Sequence, residues 1–401
     1  MKILLADSLP ASAVARLEAA GDDVVVDPAL TADDLGDALA GVEVLVVRST
    51  PVNARALDQA AELALIVRAG AGTNTIDAAR AAELGIFVCN VPGRNALAVA
   101  ELAMGLLIAV DRRIAAATAD LRAGRWDKKE YSNADGLFGR TLGIIGLGDI
   151  GLALAERAIA FGIDVIAVDK PERPATTVER AARAGVRFVE STDALLAAAD
   201  IVSLHVPGGP DTVGMVDAEF LAKMKDRAIL INTSRGDVVD EAALVDAMDS
   251  RGLRAGLDVF ADEPRGGTGE FVSPLAQHPS VVATHHVGAS TTQAQEAVAA
   301  GTVDAIEAYR AGSVVDCVNM EAEPLRAATL SVRHEDRVGV LAAVLSILRS
   351  GDLNVSTMKN QVFAGARAAV ATIDVDGVPG TEVIQQIESH EHVIKVTVTL
   401  A

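Results

Sequence analysis

Gly146-Leu147-Gly148-Asp149-Ile150-Gly151 stands between an apolar run, Thr141–Ile145, and an amphipathic stretch, Leu152–Phe161. This is a G-x-G-x-x-G spacing at a strand-to-helix turn. The first glycine allows the tight turn, the second lets backbone approach a pyrophosphate, and the third lets helix pack on strand. A helix opening there points unpaired amides at a bound anion. Alone, the hexapeptide fits an ordinary tight turn as well. Context decides: the next apolar run, Val165–Val168, leads into Asp169, 18 residues beyond Gly151. A carboxylate at that place accepts hydrogen bonds from a ribose 2′-hydroxyl and repels a 2′-phosphate, which favours NAD over NADP.

Working outward, short apolar runs alternate with helical patterns along most of the chain, as in parallel sheets covered by helices. Upstream lie Lys2–Ala6, Asp23–Val26, Val44–Arg48, Leu65–Arg68 and Ile86–Asn90, with Ala11–Ala20 and Ala54–Ala61 among the intervening helices. From Thr141–Gly146 a second series runs through Asp164–Asp169, Ile201–Val206, Ala228–Thr233, Ala255–Val259 and Val281–His285. A long Ala/Leu/Met-rich helix, Asn95–Arg113, joins the two, and another, about Thr291–Arg310, follows the second. The rhythm then changes. Thr329–Arg333, Val338–Leu348, Asn354–Val362, Ala368–Asp374, Gly380–Ser389 and His392–Leu400 read β-α-β-β-α-β, the ferredoxin-like unit, with Glu321–Pro324 as linker. The expected fold is α/β: two Rossmann/flavodoxin-like doubly wound parallel-sheet domains plus a C-terminal ferredoxin-like α+β domain.

Composition agrees with such a chain. Its 401 residues suggest two or three domains, and at 50% apolar an extensive core is available. Asp+Glu 55 against Lys+Arg 35 leaves a formal charge of −20 with no basic block, which disfavours nucleic-acid and anionic-membrane partners. An anionic small substrate would need a local cluster of cations. Two cysteines, Cys89 and Cys317, lack the spacing of a disulfide framework or a metal site. Met1–Asp7 reads as a strand rather than a signal peptide, and Leu97–Val110 is too short and too interrupted to span a bilayer. A soluble, cytoplasmic protein without metal is the expectation.

Three polar residues fall just beyond ends of successive second-series strands: Arg235 in Asn232-Thr233-Ser234-Arg235-Gly236, Glu263 in Asp258-Val259-Phe260-Ala261-Asp262-Glu263-Pro264, and His286 in Thr284-His285-His286-Val287-Gly288. Singly these read as an exposed Arg, a surface Glu and a core His. Together they suit oxidation of an alcohol beside a carboxylate. A guanidinium binds carboxylate through two parallel hydrogen bonds. An imidazole takes the hydroxyl proton near neutral pH, and a paired carboxylate orients it and stabilises the imidazolium.

These motifs resemble the D-2-hydroxyacid dehydrogenase family over nearly the whole chain, and within it the D-3-phosphoglycerate dehydrogenases that carry a C-terminal ACT domain. Arg68-Ala69-Gly70-Ala71-Gly72-Thr73-Asn74, Asn90-Val91-Pro92-Gly93-Arg94-Asn95 and Asp240-Glu241-Ala242-Ala243-Leu244 belong to the resemblance too. It implies Arg235 as the carboxylate clamp, His286 as acid/base and Glu263 as its partner. It implies a cofactor pocket of Gly146, Gly148, Asp149, Ile150, Gly151, Asp169, Val206, Pro207, Thr233, Ser234, Asp258 and Gly288, with Asp258 near the nicotinamide carboxamide. Gly72, helped by Ala71 and Asn95, would hold substrate through backbone and side chain. The chain departs from the family at Asp149 (usually Arg or His), Val206 (often Thr) and His285 (usually Pro).

The implied activity is NAD-dependent oxidation of 3-phospho-D-glycerate to 3-phosphohydroxypyruvate, the entry to serine synthesis, by a homodimer or homotetramer. Arg48 and Arg68 end first-series strands and would supply cations for the phosphate, with Lys128 reaching across from a neighbouring subunit. Trp126, beside it, suits a subunit contact. A glyoxylate/hydroxypyruvate or other D-2-hydroxyacid reductase stays open, as does an NAD(H)-sensing corepressor-like binding protein. The implied division is a discontinuous substrate-binding domain (1–94 and 287–320), an NAD-binding domain (95–286) and an ACT-like regulatory domain (326–401). In the last, His334, Asp336 and Asn354 would bind an L-serine effector, with Asp336 standing for an Asn and Val338 for a Pro.

Overall fold

Unbroken Val/Ile/Leu runs need cover on both faces, so they read as central strands of parallel sheets. In the computed structural model β1 (Lys2–Leu5), β2 (Asp23–Val26), β3 (Val44–Val47), β4 (Leu65–Arg68) and β5 (Phe87–Asn90) form a parallel sheet in the order β2-β1-β3-β4-β5. Residues 1–264, 268–321 and 325–401 are described. One face of this sheet buries Leu4, Leu45, Val47 and Ile66 against Leu35, Leu39 and Leu57. The other buries Ile3, Leu5, Val44 and Val67 against Leu17 and against Val303 and Ile306. The latter two lie on the helix Thr292–Arg310, which follows the second sheet in sequence and returns to cover the first.

The second sheet contains β6 (Thr141–Ile145), β7 (Asp164–Val168), β8 (Arg187–Val189), β9 (Ile201–Leu204), β10 (Ile229–Asn232), β11 (Arg254–Leu257) and β12 (Val281–Ala283), in the order β12-β11-β10-β9-β6-β7-β8. Strand order reverses beside β6, which is where open α/β sheets leave a ligand crevice at the strands' carboxyl ends. The helix Ala96–Arg112 packs Leu106, Leu107 and Val110 onto Leu142, Ile144 and Ile231. It approaches closely at Gly256, where a Cβ would stand 2.9 Å from that of Leu106.

Several boundaries differ from the sequence expectation. Most second-series strands end a residue or more early, because Gly146, Asp169, Val206 and Thr233 turn out of the sheet. The helix after β6 starts at Asp149, not Leu152, so Asp149 and Ile150 occupy its first turn. The joining helix breaks at Arg113 (φ 52°), and a second helix, Ile114–Arg122, continues from there. β8 is an edge strand of three residues, too short to carry a period of its own.

The contacts divide the chain into Met1–Asn319 and Met320–Ala401. Residues 322–324 of the expected linker lie outside the described residues. The second unit holds β13 (Ala328–Glu335), β14 (Val355–Val362), β15 (Ala368–Val375) and β16 (Val393–Leu400) in an antiparallel sheet ordered β14-β15-β13-β16. Helices Val340–Ser350 and Thr381–Glu388 complete the β-α-β-β-α-β order, with Leu330, Val332, Val344, Leu348, Ile373 and Ile387 in the core. Among the described residues no helix is long and apolar enough to cross a membrane.

One glycine bears directly on how β6 and its helix meet. A Cβ on Gly151 would lie 2.3 Å from the Gly146 carbonyl oxygen, part of a turn that is itself left-handed (φ 96°). Gly151→Ala should lower the unfolding free energy by about 1–3 kcal/mol through overpacking. Urea unfolding followed by circular dichroism measures it; unchanged stability would mean that the turn yields freely.

Candidate active site

Within the first unit, the loops after β9 to β12 face those after β1, β3 and β4 across a cleft of about 2250 Å³. Arg48, Arg68, Ala71, Gly72 and Asn95 line it from one side; Val206, Pro207, Thr233, Ser234, Arg235, Asp258, Glu263, His286 and Gly288 line it from the other. Asn95 precedes its helix without a side-chain capping bond, which leaves its amide to the cleft.

His286 and Glu263 come together. The imidazole Nδ1 lies 2.7 Å from Glu263 Oε2, while Glu263 Oε1 accepts the Phe260 N–H at 2.9 Å. Adjacent His285 lines the cleft without this partner. Glu263 holds the imidazole pKa above its ordinary value by accepting this bond, against the opposing effect of burial. Burial would raise the Glu263 carboxyl, but the bond from His286 and that from Phe260 N–H bring it below the usual range. With Nδ1 engaged, Nε2 is the nitrogen left to exchange a proton.

The backbone of His286 is left-handed (φ 52°), an uncommon state for a residue with a Cβ. Asp258 holds it there. This carboxylate is 2% exposed, and its Oδ1 accepts the Thr284 hydroxyl at 2.6 Å and the Val287 N–H at 2.9 Å. Its Oδ2 accepts the Gly288 N–H at 2.8 Å, and a Cβ on Gly288 would crowd that oxygen at 3.0 Å. The His286 N–H itself bonds the Asp258 carbonyl at 2.7 Å. Expected beside the nicotinamide, Asp258 lines the cleft, yet its carboxylate is committed to the histidine turn.

Arg235 is placed by a side-chain turn. Asn232 Oδ1 accepts the Ser234 N–H at 3.0 Å and its hydroxyl at 2.7 Å, and Asn232 Nδ2 donates to the Arg235 carbonyl at 2.9 Å. The Arg235 side chain then runs between two glycines. A Cβ on Gly208 would come 3.0 Å from its Cγ, and one on Gly72 only 2.6 Å from Nη2. Arg68 folds back over Gly70, and its Nε is buried without a hydrogen-bond partner. Burial, with the charges of Arg235 and Arg48, pulls the Arg68 pKa below its ordinary value. Asp7 opposes this, but its Oδ2 already accepts the N–H groups of Arg48, Ser49 and Thr50 at 2.7, 3.0 and 3.1 Å. Three guanidinium groups thus face one cleft, which Asp237, Asp258, Glu263 and Glu296 also line.

The neighbouring part of the cleft fits a dinucleotide. Gly148 caps the helix from Asp149 without a side chain, so the first-turn amides stay free for an anion. Asp149, the departure from family pattern, lies 3.7 Å from Arg180, which offsets its charge. Asp169 is exposed at the end of β7. Two buried polar atoms here have no protein partner, Thr233 Oγ1 and His205 Nδ1. His205 Nε2 meets Ser203 Oγ at 2.8 Å, and burial pushes the His205 pKa down to about 4, so it is neutral at physiological pH. Sequence reasoning missed His205, Asp7 and the anchoring role of Asn232; Asn-x-Ser after a strand was the one usable signal.

Other expected residues are not assembled. Lys128 lies on an exposed segment beside Trp126, itself 81% exposed, and neither lines the cleft. In the second unit His334 is 1% exposed, its Nδ1 2.7 Å from the Glu335 carbonyl and its Nε2 3.1 Å from Asn360 Oδ1. Asn354 precedes β14, with its N–H on Asp376. His334 pairs with Ala369 and Val355 with Val375, six β15 positions or roughly 20 Å apart, and Asn354 and Asp336 lie still further from each other beyond these two. The three do not converge within one chain, and it is Asn360 that meets His334 there.

Comparison with known proteins agrees with this geometry. Residues 104–288 match the family described as D-isomer specific 2-hydroxyacid dehydrogenase, NAD binding domain. A D-3-phosphoglycerate dehydrogenase of Mycobacterium bovis is 41% identical over 86% of this chain and 64% of its own length. The chain thus spans less than two thirds of that relative. A hydroxypyruvate reductase of Thermotoga maritima is 44% identical over 69% of this chain and 88% of its own. Among solved structures, D-lactate dehydrogenase from Aquifex aeolicus, complexed with NAD and lactic acid, superposes with a TM-score of 0.68 at 26% identity, covering 80% of this chain and all of that one. With the NAD-binding domain matched and a 44% identical relative covered over 88% of its length, the chain belongs to the D-isomer specific 2-hydroxyacid dehydrogenase family.

Proposed function

We propose that the protein oxidises 3-phospho-D-glycerate to 3-phosphohydroxypyruvate with NAD, the entry to serine synthesis. The observation that carries this reading is the trio Arg48, Arg68 and Arg235, facing one cleft beside the His286–Glu263 pair. One guanidinium suffices for the carboxylate of an ordinary 2-hydroxy acid; a phosphate adds charge that the other two meet. Arg235 binds the carboxylate in fork geometry and so fixes which face of C2 is presented. His286 Nε2 takes the hydroxyl proton as the carbonyl forms, and Glu263 stabilises the resulting imidazolium. A bound NAD would supply the acceptor for the C2 hydride. The Thr233 hydroxyl, His205 Nδ1 and the amides after Gly148 are the groups offered to it. Binding between the loops of the two sheets excludes water from the reacting atoms.

In this reading residues 1–94 and 287–320 form the substrate domain and 95–286 the cofactor domain. The β-α-β-β-α-β unit is an ACT-like regulatory module, with L-serine as its candidate effector. Because His334, Asp336 and Asn354 do not meet in one chain, a shared effector site would need a second copy, in keeping with a homodimer or homotetramer. The same assembly would bring Lys128 to a neighbour's phosphate site.

A substrate panel tests the phosphate argument. With NAD, kcat/KM for 3-phosphoglycerate should exceed that for glycerate and lactate, and Arg48→Ala should lower it at least tenfold for phosphoglycerate while leaving glycerate nearly unchanged. Equal turnover of glycerate would replace this reading with a hydroxypyruvate-type reductase. His286→Ala should remove turnover; retained turnover would take His286 out of the acid/base role.

The histidine pair sets a pH dependence. Oxidation needs neutral His286, so kcat/KM rises with pH through an imidazole pKa that Glu263 holds above its ordinary value. Glu263→Gln withdraws that stabilisation of the imidazolium, and the rising limb for oxidation should move to lower pH. The limb for reduction, which needs the imidazolium, should fall off at lower pH as well. A profile that does not move in the variant would remove Glu263 from this role.

A further inference from the structure

Cys89 and Cys317 are separated by more than half the chain, yet the fold sets them opposite each other in an antiparallel bridge. Cys89 lies on β5, an edge strand of the first sheet, and the segment Asp316–Asn319 runs along that edge. Two bonds flank the pair without joining it: Val318 N–H to the Val88 carbonyl at 2.8 Å, and Asn90 N–H to the Asp316 carbonyl at 3.1 Å. That pattern makes Cys89 and Cys317 a non-hydrogen-bonded pair, the kind whose Cα atoms stand about 4.5 Å apart with side chains closest. Disulfides span Cα separations of about 4.4–6.8 Å, so no strand need move for these sulfurs to join.

The segment is held in register as well. Asn319 Oδ1 accepts the Val88 N–H at 2.8 Å, and its Nδ2 donates to the Ile86 carbonyl at 2.8 Å. Cys317 Sγ donates to Asn319 Oδ1 at 3.2 Å. The two thiols differ in access. Cys89 is 1% exposed, and burial with the adjacent Cys317 pushes its thiol up to about 12, whereas Cys317 is partly exposed. An oxidant in solution therefore meets Cys317 first, with Cys89 behind it in resolving position.

We propose that Cys89 and Cys317 form a reversible modification site that closes to a disulfide when a peroxide reaches Cys317. The Cys317 thiolate attacks one peroxide oxygen; the O–O bond breaks, water leaves after protonation, and a sulfenic acid remains. The Cys89 sulfur then attacks the Cys317 sulfur. An S–S bond forms, the S–O bond breaks, and the departing hydroxide takes the Cys89 proton as water. Two thiols and one peroxide become one disulfide and two waters; the sulfurs lose the two electrons that the peroxide gains. The closed bond ties Val314–Asn319, which leads into the second unit, to β5. That strand supports the cleft: Asn90 Nδ2 donates to the Ala71 carbonyl at 2.6 Å and Val91 N–H to the Gly70 carbonyl at 2.9 Å.

The test uses the full chain, reduced and then exposed to about one equivalent of hydrogen peroxide. Non-reducing peptide mapping by mass spectrometry should find the Cys89 and Cys317 peptides linked. The melting temperature should rise by several degrees, dithiothreitol should reverse both changes, and Cys317→Ser should show neither. Cys317 oxidised to sulfinic acid with Cys89 still a free thiol would overturn the proposal, as would only intermolecular disulfides or a melting shift that persists in Cys317→Ser.

Discussion

One buried carboxylate decides where the imidazole stands. Asp258, at the end of β11, collects a hydroxyl and two amides from the stretch after β12, and so binds two adjacent strand ends into one turn. Charged acceptors make the stronger hydrogen bonds, and three of them satisfy a group that would otherwise be costly to bury. A left-handed non-glycine residue costs of order 1–3 kcal/mol, and these bonds offset it at His286. The ring then points where Glu263 can hold Nδ1, and Glu263 is itself fixed by the Phe260 amide. The arrangement resists substitution by anything that cannot accept in both directions. A carboxylate that does not touch the imidazole thus fixes its orientation.

Charge is distributed to the opposite effect. The chain carries a formal −20, yet its main cleft gathers three guanidinium groups. Arg68 is depressed by burial and by its two like-charged neighbours, a cost that an anion between them would relieve. Glycines make this crowding feasible: at Gly70 and Gly72 the missing Cβ is the space that Arg68 and Arg235 fill. Such a site is electrostatically prepared before its ligand arrives, which favours capture of the anion and disfavours neutral analogues.

What the sequence made legible was what depends on neighbours along the chain. The glycine turn, the unbroken apolar runs and the β-α-β-β-α-β rhythm each follow from local periodicity. Residues beyond strand ends were legible too, because sheet topology carries them to one edge. Features made by distant segments were not. Nothing near Asp258 signals that its carboxylate belongs to Thr284 and Gly288. Nothing near Cys89 points to Cys317. Nor does the sequence show that Asn354 and His334 stand apart in one chain: an antiparallel strand of eight residues carries its two ends far apart, and Asn360, at the other end, makes the contact with His334. The helix end at Arg113 was legible, but the second helix Ile114–Arg122, which starts from the left-handed backbone of Arg113, was not.

The return of Thr292–Arg310 to the first sheet has a consequence for how the molecule is made. Ile3, Leu5, Val44 and Val67 wait for Val303 and Ile306 to cover them, so the strands synthesised first keep an apolar face open until the whole second sheet has been translated. A ribosome adding about 5–20 residues per second leaves that face open for roughly ten seconds or more. The second sheet, by contrast, has its covering helix Ala96–Arg112 already in place when β6 emerges. The later-born half can therefore close before the earlier one. During that interval the nascent first sheet presents an apolar face that a chaperone would shield.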